Sequence, residues 1–211
     1  VNRRGGVLVQ KGVPMAPHIT HLTQADYQIS QWSGGTTTQI AIAPQGALYA
    51  DRDFLWRLSS ATVDLDESDF TPLPDYHRLI APLRGEMELT HDGGPLISLA
   101  PYQVHAFDGG ADTHSRGRCV DFNLMLRKDR CVGSVSPLRT SGGPVSFSAE
   151  PGSSTLILYC AERGGTLTFA GESSTIASGE AVLIQDPGSA PLHLDCPGPA
   201  SFMAAQVRSL P

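Results

Sequence analysis

Short runs of alternating apolar and polar residues dominate the chain, and one of them has two clearly different faces. In residues 53–61, Asp-Phe-Leu-Trp-Arg-Leu-Ser-Ser-Ala, successive side chains of a β-strand would point to opposite sides. Phe54, Trp56 and Leu58 would then share an apolar face, and Leu55, Arg57, Ser59 and Ala61 would share the other. The polar face of a half-buried strand commonly meets solvent, but it can also line a pocket and hold an anion. The alternation alone leaves both interpretations open.

The rest of the chain shows the same short apolar runs, separated by many of its 22 glycines and 16 prolines. No segment keeps helical periodicity for three turns, and the only short helix candidates are residues 23–29 and 68–74. This pattern is typical of an all-β sandwich or barrel. The predicted strands are residues 36–43, 54–63, 77–84, 86–91, 97–99, 103–107, 118–126, 145–147, 154–160, 165–169, 180–185, 191–194 and 201–207.

A weak internal repeat relates residues 83–108 to residues 162–186. Each copy has a glycine, a strand, a turn, a Gly or Pro, and a second strand that ends in Asp. This order of elements resembles that of cupin-type jelly-roll barrels. We therefore expect two tandem cupin barrels packed together, an N-terminal one with the pocket in residues 15–135 and a C-terminal one in residues 144–211. Edge strands can be exchanged between the two barrels. Residues 132–143, rich in Ser, Gly and Pro, are the predicted crossover.

Charge and cysteine content narrow the possible partners. The 211-residue chain has a net charge of -6, which argues against non-specific binding of nucleic acid or anionic membranes. It has no long uncharged apolar run, so we expect no transmembrane helix. The four cysteines form no C-x-x-C pair, and we expect free thiols and a cytoplasmic location. Residues 1–14 are expected to be a non-native or disordered leader, with the native start at Met15.

The sequence gives little support for metal or nucleophile chemistry. There is no His-x-His pair, and His105 follows Pro101 at a spacing one residue short of that in metal-binding cupins. There is also no Gly-x-Ser-x-Gly segment. We therefore expect neither a metal nor any other cofactor.

Polar side chains instead occur on strands that otherwise look buried. Asp121 and Asn123 share one face of their strand and have Phe122 on the other, which repeats the arrangement of Arg57 and Ser59. Such groups can line a ligand pocket, but an Arg57–Asp121 pair can also be purely structural.

Two further segments add polar groups. Arg78 supplies a second cation near the start of a predicted strand. Residues 32–39 form a glycine-rich bend that carries Trp32, four hydroxyl groups including that of Thr37, and an amide. This bend lacks the lysine and the following helix of a phosphate-binding P-loop.

Together these segments resemble the HutD/Ves family of bacterial bicupins, which is associated with histidine utilisation. The resemblance rests on residues 32–40, 54–61, 76–78, 107–109 and 121–125 and covers roughly residues 19–207. It implies a bicupin with a non-metal pocket in its N-terminal barrel. It also implies a binding or governing role toward a pathway intermediate such as formylglutamate or urocanate. Thr38 and Gln39 stand where the family motif has Arg and Glu.

We therefore expect a cytoplasmic, non-enzymatic bicupin that binds a small carboxylate metabolite. Arg57 and Arg78 would pair with the carboxylate, and the Ser59 and Asn123 side chains would hydrogen-bond an amide or formyl group. Trp32 and Phe107 would form apolar walls. The predicted ligand-binding residues are Arg57, Ser59, Arg78, Asn123, Asp121, Trp32, Thr37 and Phe107.

Two other functions stay open at this point. The chain could be an isomerase or hydrolase that uses Asp121 or His105 as acid or base in the same cavity. It could also be a structural or interaction protein without a ligand, in which Arg57 and Asp121 neutralise each other. Exposed strand edges would allow a homodimer.

Overall fold

The computed structural model describes residues 17–211, and its regular elements are β-strands apart from one 3-10 turn, Tyr49–Asp51. The predicted leader, residues 1–14, lies outside the described residues. In chain order the strands are β1 (His18–Leu22), β2 (Gln28–Trp32), β3 (Gly35–Ala43), β4 (Trp56–Val63), β5 (Glu67–Asp69), β6 (Tyr76–Gly85), β7 (Met87–His91), β8 (Ile97–Leu99), β9 (His105–Asp108), β10 (Thr113–Arg116), β11 (Cys119–Arg127), β12 (Cys131–Thr140), β13 (Gly143–Ser148), β14 (Thr155–Glu162), β15 (Gly164–Phe169), β16 (Glu172–Ala177), β17 (Ala181–Gln185), β18 (Pro191–Cys196) and β19 (Ala200–Ser209).

The strands form four antiparallel sheets that face each other in two pairs. In the first sheet pair, a six-stranded sheet, β2-β3-β4-β11-β6-β9, faces a four-stranded sheet, β5-β10-β7-β8. In the second sheet pair, a five-stranded sheet, β1-β17-β14-β19-β12, faces a four-stranded sheet, β13-β18-β15-β16. The prediction of an all-β chain is therefore confirmed.

The two large sheets pack against each other through the apolar faces of their central strands. Trp56 and Leu58 of β4 and Phe122 of β11 lie in one buried cluster with Ile157 of β14 and Met203 of β19. Because side chains alternate along a strand, this packing directs the opposite, polar faces of β4 and β11 into the interior of the first sheet pair.

The interiors of the two sheet pairs differ in character. The second is filled by apolar side chains such as Leu158, Phe169, Ile184, Leu192 and Phe202, which are almost completely buried. The first contains buried charged and amide side chains, with apolar clusters around Leu89 and around Phe54 to its sides. A buried polar interior needs internal partners or a ligand, because unpaired polar groups are costly to remove from water.

The predicted crossover at residues 132–143 is wrong, since most of it belongs to the ten-residue strand β12. Among the described strands, this one lies at the edge of its sheet and pairs only with β19. An edge strand has one side free of ladder hydrogen bonds, so it tolerates Pro137, which cannot donate a backbone hydrogen bond.

The two short segments predicted as helices, residues 23–29 and 68–74, are not helical in the structure. In the first segment, the Asp26 carboxylate accepts hydrogen bonds from the backbone and hydroxyl of Thr23, which closes a single turn before β2 begins. The second segment begins with the end of β5, which pairs with β10. Turn hydrogen bonds override the weak helical signal in the first segment, and sheet pairing overrides it in the second.

The first strand of the described chain lies in a sheet of the second sheet pair. Strand β1 pairs with β17, so residues 18–22 join a sheet built mainly from the C-terminal part of the chain. The barrel boundaries, the homodimer and the cytoplasmic location stay predictions. The described residues include no helix with the length and apolar character needed to cross a membrane.

Candidate functional site

A cavity of about 270 Å³ opens between the two sheets of the first sheet pair. This is close to the lower end of the range for small-molecule sites, roughly 300–1,000 Å³. Seven of the eight predicted ligand-binding residues line it: Trp32, Thr37, Arg57, Ser59, Arg78, Asp121 and Asn123. The site therefore draws on strands that are far apart in the sequence.

The pairing register explains why these side chains meet. Met125 of β11 lies opposite Arg57 of β4 on one side and opposite Arg78 of β6 on the other. One step along the same face, Asn123 lies opposite Ser59. Side chains at directly opposed positions of antiparallel strands are near neighbours, so the register brings both arginines to one wall of the cavity.

Arg57 is 5% exposed and is held by neutral groups. Its Nε donates to the Gln39 side-chain oxygen at 2.7 Å, and one terminal nitrogen donates to the Ser59 hydroxyl at 3.2 Å. The guanidinium carbon lies 4.3 Å from the centre of the Tyr49 ring. Burial lowers the pKa of Arg57, because the charged form loses water. Within residues 17–211 the side chain is thus fixed in place without an ion pair of 4.0 Å or less, although the Asp121 carboxyl is near enough to favour its charged form.

Arg78 is the second buried cation and is 6% exposed. Its Nε is buried and has no hydrogen-bond partner within residues 17–211. Its guanidinium carbon lies 4.6 Å from the centre of the Phe70 ring and 5.2 Å from that of Phe107. Burial lowers the pKa of Arg78 to about 10, which still leaves the group charged at neutral pH.

Asp121 supplies a carboxyl group inside the same cavity. One of its oxygens accepts the backbone N–H of Ala61 at 3.1 Å, next to a register shift between Val120 and Asp121. Burial raises the pKa of Asp121 to about 6, an effect only partly offset by the Ala61 hydrogen bond and the nearby arginines. Within the described part of the chain, no ion pair of 4.0 Å or less joins Asp121 to Arg57 or Arg78.

Asn123 adds an unused hydrogen-bond acceptor. Its side-chain oxygen is buried, and no donor reaches it from the described residues. The cavity therefore offers two cations, an amide acceptor and the Ser59 hydroxyl. This set of groups is suited to a small molecule that carries a carboxylate together with a hydrogen-bond donor.

Three residues that contact the two arginines were not predicted as binding residues. Tyr49 sits on the 3-10 turn, with the guanidinium groups of Arg52 and Arg57 stacked over its ring at 3.8 Å and 4.3 Å. Phe70 stacks against Arg78, and Gln39 anchors Arg57. Gln39 could have been found from its place in the family motif. The loop residues carry no periodic signal that would reveal them.

The carboxyl group of Asp69 also reaches the rim of the cavity, but its setting differs from that of Asp121. Asp69 is exposed on β5, and one of its oxygens lies 2.7 Å from His114 Nδ1. A solvated carboxylate with a neighbouring histidine is a weak counter-charge for the buried arginines.

Two residues with predicted functional roles, Phe107 and His105, do not line the cavity. Phe107 was expected to form a cavity wall, but it lies opposite Arg78 on β9, the outer strand of the six-stranded sheet, and does not line the cavity. His105 does not line the cavity either; its Nε2 lies 3.0 Å from His91 Nε2. His91 Nδ1 contacts the Thr113 hydroxyl at 2.8 Å. Both histidines are therefore already engaged with protein groups.

Two known proteins are similar in sequence to about half of the chain. The chain is 34% identical over 116 residues to an uncharacterized 21.2 kDa protein in the hutC 3′ region of Pseudomonas putida. It is 32% identical over 114 residues to the protein Ves of Cronobacter sakazakii. These matches cover 52% and 51% of the chain, and they span only 58% and 60% of the length of those relatives.

Solved structures match over most of the chain. A conserved protein of unknown function from Pseudomonas aeruginosa PAO1 superposes with a TM-score of 0.80 at 27% identity, covering 91% of this chain and all of that one. HutD from Pseudomonas fluorescens SBW25 gives 0.71 at 21% identity, with 92% and 100% coverage. The bacterial pirin YhhW of Escherichia coli gives 0.64 at 8% identity, with 90% and 98% coverage, and shares the cupin fold.

The family model for HutD matches residues 24–202, a span that includes every cavity residue named above. The predicted resemblance is thereby confirmed, and so is the cupin fold. The chain belongs to the HutD family, which is associated with histidine utilisation.

Proposed function

We propose that this protein binds a small carboxylate metabolite in the cavity of the first sheet pair. The observation that carries this proposal is the presence of two buried guanidinium groups, Arg57 and Arg78, that form no ion pair within residues 17–211. A buried charge without a partner is costly, and proteins normally compensate it. A bound anion would supply the direct ion pair that Asp121 does not make with either arginine in the described part of the chain.

The neutral groups of the cavity narrow the ligand further. The free oxygen of Asn123 would accept a hydrogen bond from an amide N–H, and the Ser59 hydroxyl would bind a carbonyl or formyl oxygen. A formylated amino acid with carboxylates has both features, and its size suits a cavity of about 270 Å³. Within histidine utilisation, N-formylglutamate is therefore our first candidate and urocanate the second, with a governing rather than a catalytic role.

An enzymatic function is the second candidate, and one observation favours it. Asp121 has a pKa raised to about 6 by burial, so it could exchange a proton near neutral pH. The cavity would then catalyse an isomerisation or hydrolysis with Asp121 as acid or base. Turnover of N-formyl-L-glutamate or urocanate that disappears in the Asp121→Asn variant would establish this alternative.

Thermal unfolding of the wild-type protein with candidate ligands tests the binding proposal. A ligand with a Kd near 10 μM, added at 1 mM, stabilises the native state by about 2.7 kcal/mol, since its concentration is about 100 times Kd. For a chain of this size we expect the melting temperature to rise by roughly 5 °C or more. The probes are N-formyl-L-glutamate and urocanate.

The uncharged dimethyl ester of N-formyl-L-glutamate is the matched control ligand. It keeps the formyl amide but lacks the charge that the arginines would bind, so we expect no shift of the melting temperature. Equal shifts with the ester and the free acid would contradict an anion site. No shift with either acid would reject both named metabolites.

A further inference from the structure

The side chain of Gln39 determines how the cation of Arg57 is presented to the cavity. Gln39 lies on β3 beside a register shift between Gln39 and Ala41, and it is largely buried. Its Nε2 donates to the side-chain oxygen of Gln28 at 3.1 Å. This bond fixes the amide orientation, so that the Gln39 oxygen accepts from Arg57 Nε at 2.7 Å.

The contact is geometrically the one a carboxylate would make, but its acceptor carries no charge. Arg57 has five N–H donors, and the bonds to Gln39 and Ser59 use two of them. The other three have no partner among residues 17–211, and the arginine lines the cavity. Gln39 thus orients the guanidinium group of Arg57 without adding a charge. The positive charge of Arg57 and its three remaining N–H donors stay available to a ligand.

We propose that Gln39 is a specificity-determining residue that positions Arg57 without neutralising it and so makes the cavity selective for anions. This inference rests on the proposed function. It adds that selectivity depends on the absence of charge at position 39 as much as on the presence of the arginines. A carboxylate at this position, which the family motif has, would occupy the Arg57 cation and compete with the ligand, so Gln39 sets this chain apart from members that keep the motif.

The test is the isosteric variant Gln39→Glu, which keeps the length and the acceptor oxygen but adds a charge. We expect isothermal titration calorimetry to show N-formyl-L-glutamate binding weakened by at least tenfold, because the introduced carboxylate forms an ion pair with Arg57 in the free protein. Gln31→Glu is the matched control. It adds the same charge to an exposed position of β2, and the affinity should change by less than twofold.

A second readout does not depend on the metabolite. The chain has two tryptophans; Trp32 lines the cavity mouth and is 39% exposed, whereas Trp56 is buried. Iodide, an anion, should quench Trp32 fluorescence more weakly in Gln39→Glu than in the wild type, by roughly twofold, because the local potential is less positive. Quenching by neutral acrylamide should stay the same, since access to Trp32 is unchanged.

The calorimetric and the quenching measurement together distinguish a wrong metabolite from a wrong role for Gln39. If the wild type does not bind N-formyl-L-glutamate, the proposed metabolite is wrong, and the iodide-to-acrylamide ratio still tests the role of Gln39. An unchanged ratio in Gln39→Glu overturns the inference in either case. Tight binding to the wild type with equal affinity for Gln39→Glu overturns the inference while the proposed function stands.

Discussion

Replacing Arg57 by methionine should weaken N-formyl-L-glutamate binding by about a hundredfold or more while leaving the fold intact. The guanidinium group supplies charge-assisted hydrogen bonds to the ligand, and such bonds contribute about 1.5–3 kcal/mol each. A loss of about 2.7 kcal/mol corresponds to a hundredfold change in Kd. Calorimetric titration of the variant beside the wild type measures this effect.

The stability of the same variant tells a ligand-binding arginine from a structural one. Arg57 contacts Gln39, Ser59 and Tyr49 but no carboxylate within 4.0 Å in the described part of the chain. Methionine has a similar length and removes a desolvated charge, so the free energy of unfolding should stay the same or rise. Arg139→Met, outside the cavity on β12, is the matched control and should leave affinity unchanged.

Two outcomes would contradict this prediction. Unchanged affinity in Arg57→Met would mean that the ligand does not use this arginine. A strong loss of stability would mean that the contacts of Arg57 with Gln39 of β3 and with Tyr49 hold the fold together, as in the interpretation of a protein without a ligand.

Replacing Asp121 by asparagine should change the pH dependence of stability more than any other single substitution in the cavity. The pKa of Asp121 is raised from 3.8 to about 6 in the folded protein. The stabilising contribution of this protonated group is complete below pH 3.8 and is lost as pH rises through 6. The carboxyl group therefore destabilises the folded state at pH 8, where it is ionised.

Asparagine keeps the acceptor oxygen for the Ala61 N–H but cannot ionise. Relative to the wild type, we expect Asp121→Asn to gain about 2 kcal/mol in unfolding free energy between pH 4.5 and pH 8. Urea unfolding at the two pH values measures the difference. Asp195→Asn, at an exposed position of β18, is the control. A gain that is independent of pH would show that the carboxyl does not titrate in this range.

Ligand binding should be linked to the same proton. An anion beside Asp121 raises its pKa further, so the protein takes up a proton on binding near pH 6–7. The affinity should increase as pH falls through this range, and Asp121→Asn should bind the anion about tenfold more tightly at pH 8. Calorimetry in two buffers of different ionisation enthalpy detects the proton. Its absence would place the ligand away from Asp121.

The faces of β4 and β11 could be predicted from the sequence because a strand has a strict period of two. Once Trp56 and Phe122 are assigned to the core, Arg57 and Asp121 must point the other way. Alternation alone could not tell whether that other side meets water or a cavity. The answer depends on the four-stranded sheet that covers it, which is assembled from short segments with weak local signals.

Other parts of the site depend on contacts that no local pattern specifies. Tyr49 reaches Arg57 from a loop, and its position is set by the strands at either end of that loop. Phe107 is displaced from the cavity because β9 pairs at the sheet edge, which a strand prediction does not reveal. Most of β12 was predicted as a crossover because residues 132–143 are rich in Ser, Gly and Pro. Pro137 is unfavourable in a strand, except at a sheet edge such as the one where β12 lies.

A crystal structure of the wild-type protein with N-formyl-L-glutamate tests the central claim most directly. We predict that the ligand lies in the cavity of the first sheet pair, with a carboxylate within hydrogen-bonding distance of the guanidinium group of Arg57 or Arg78. Its amide N–H should face the side-chain oxygen of Asn123. Ligand bound elsewhere on the protein, or a cavity that holds only water at saturating ligand, would contradict the account.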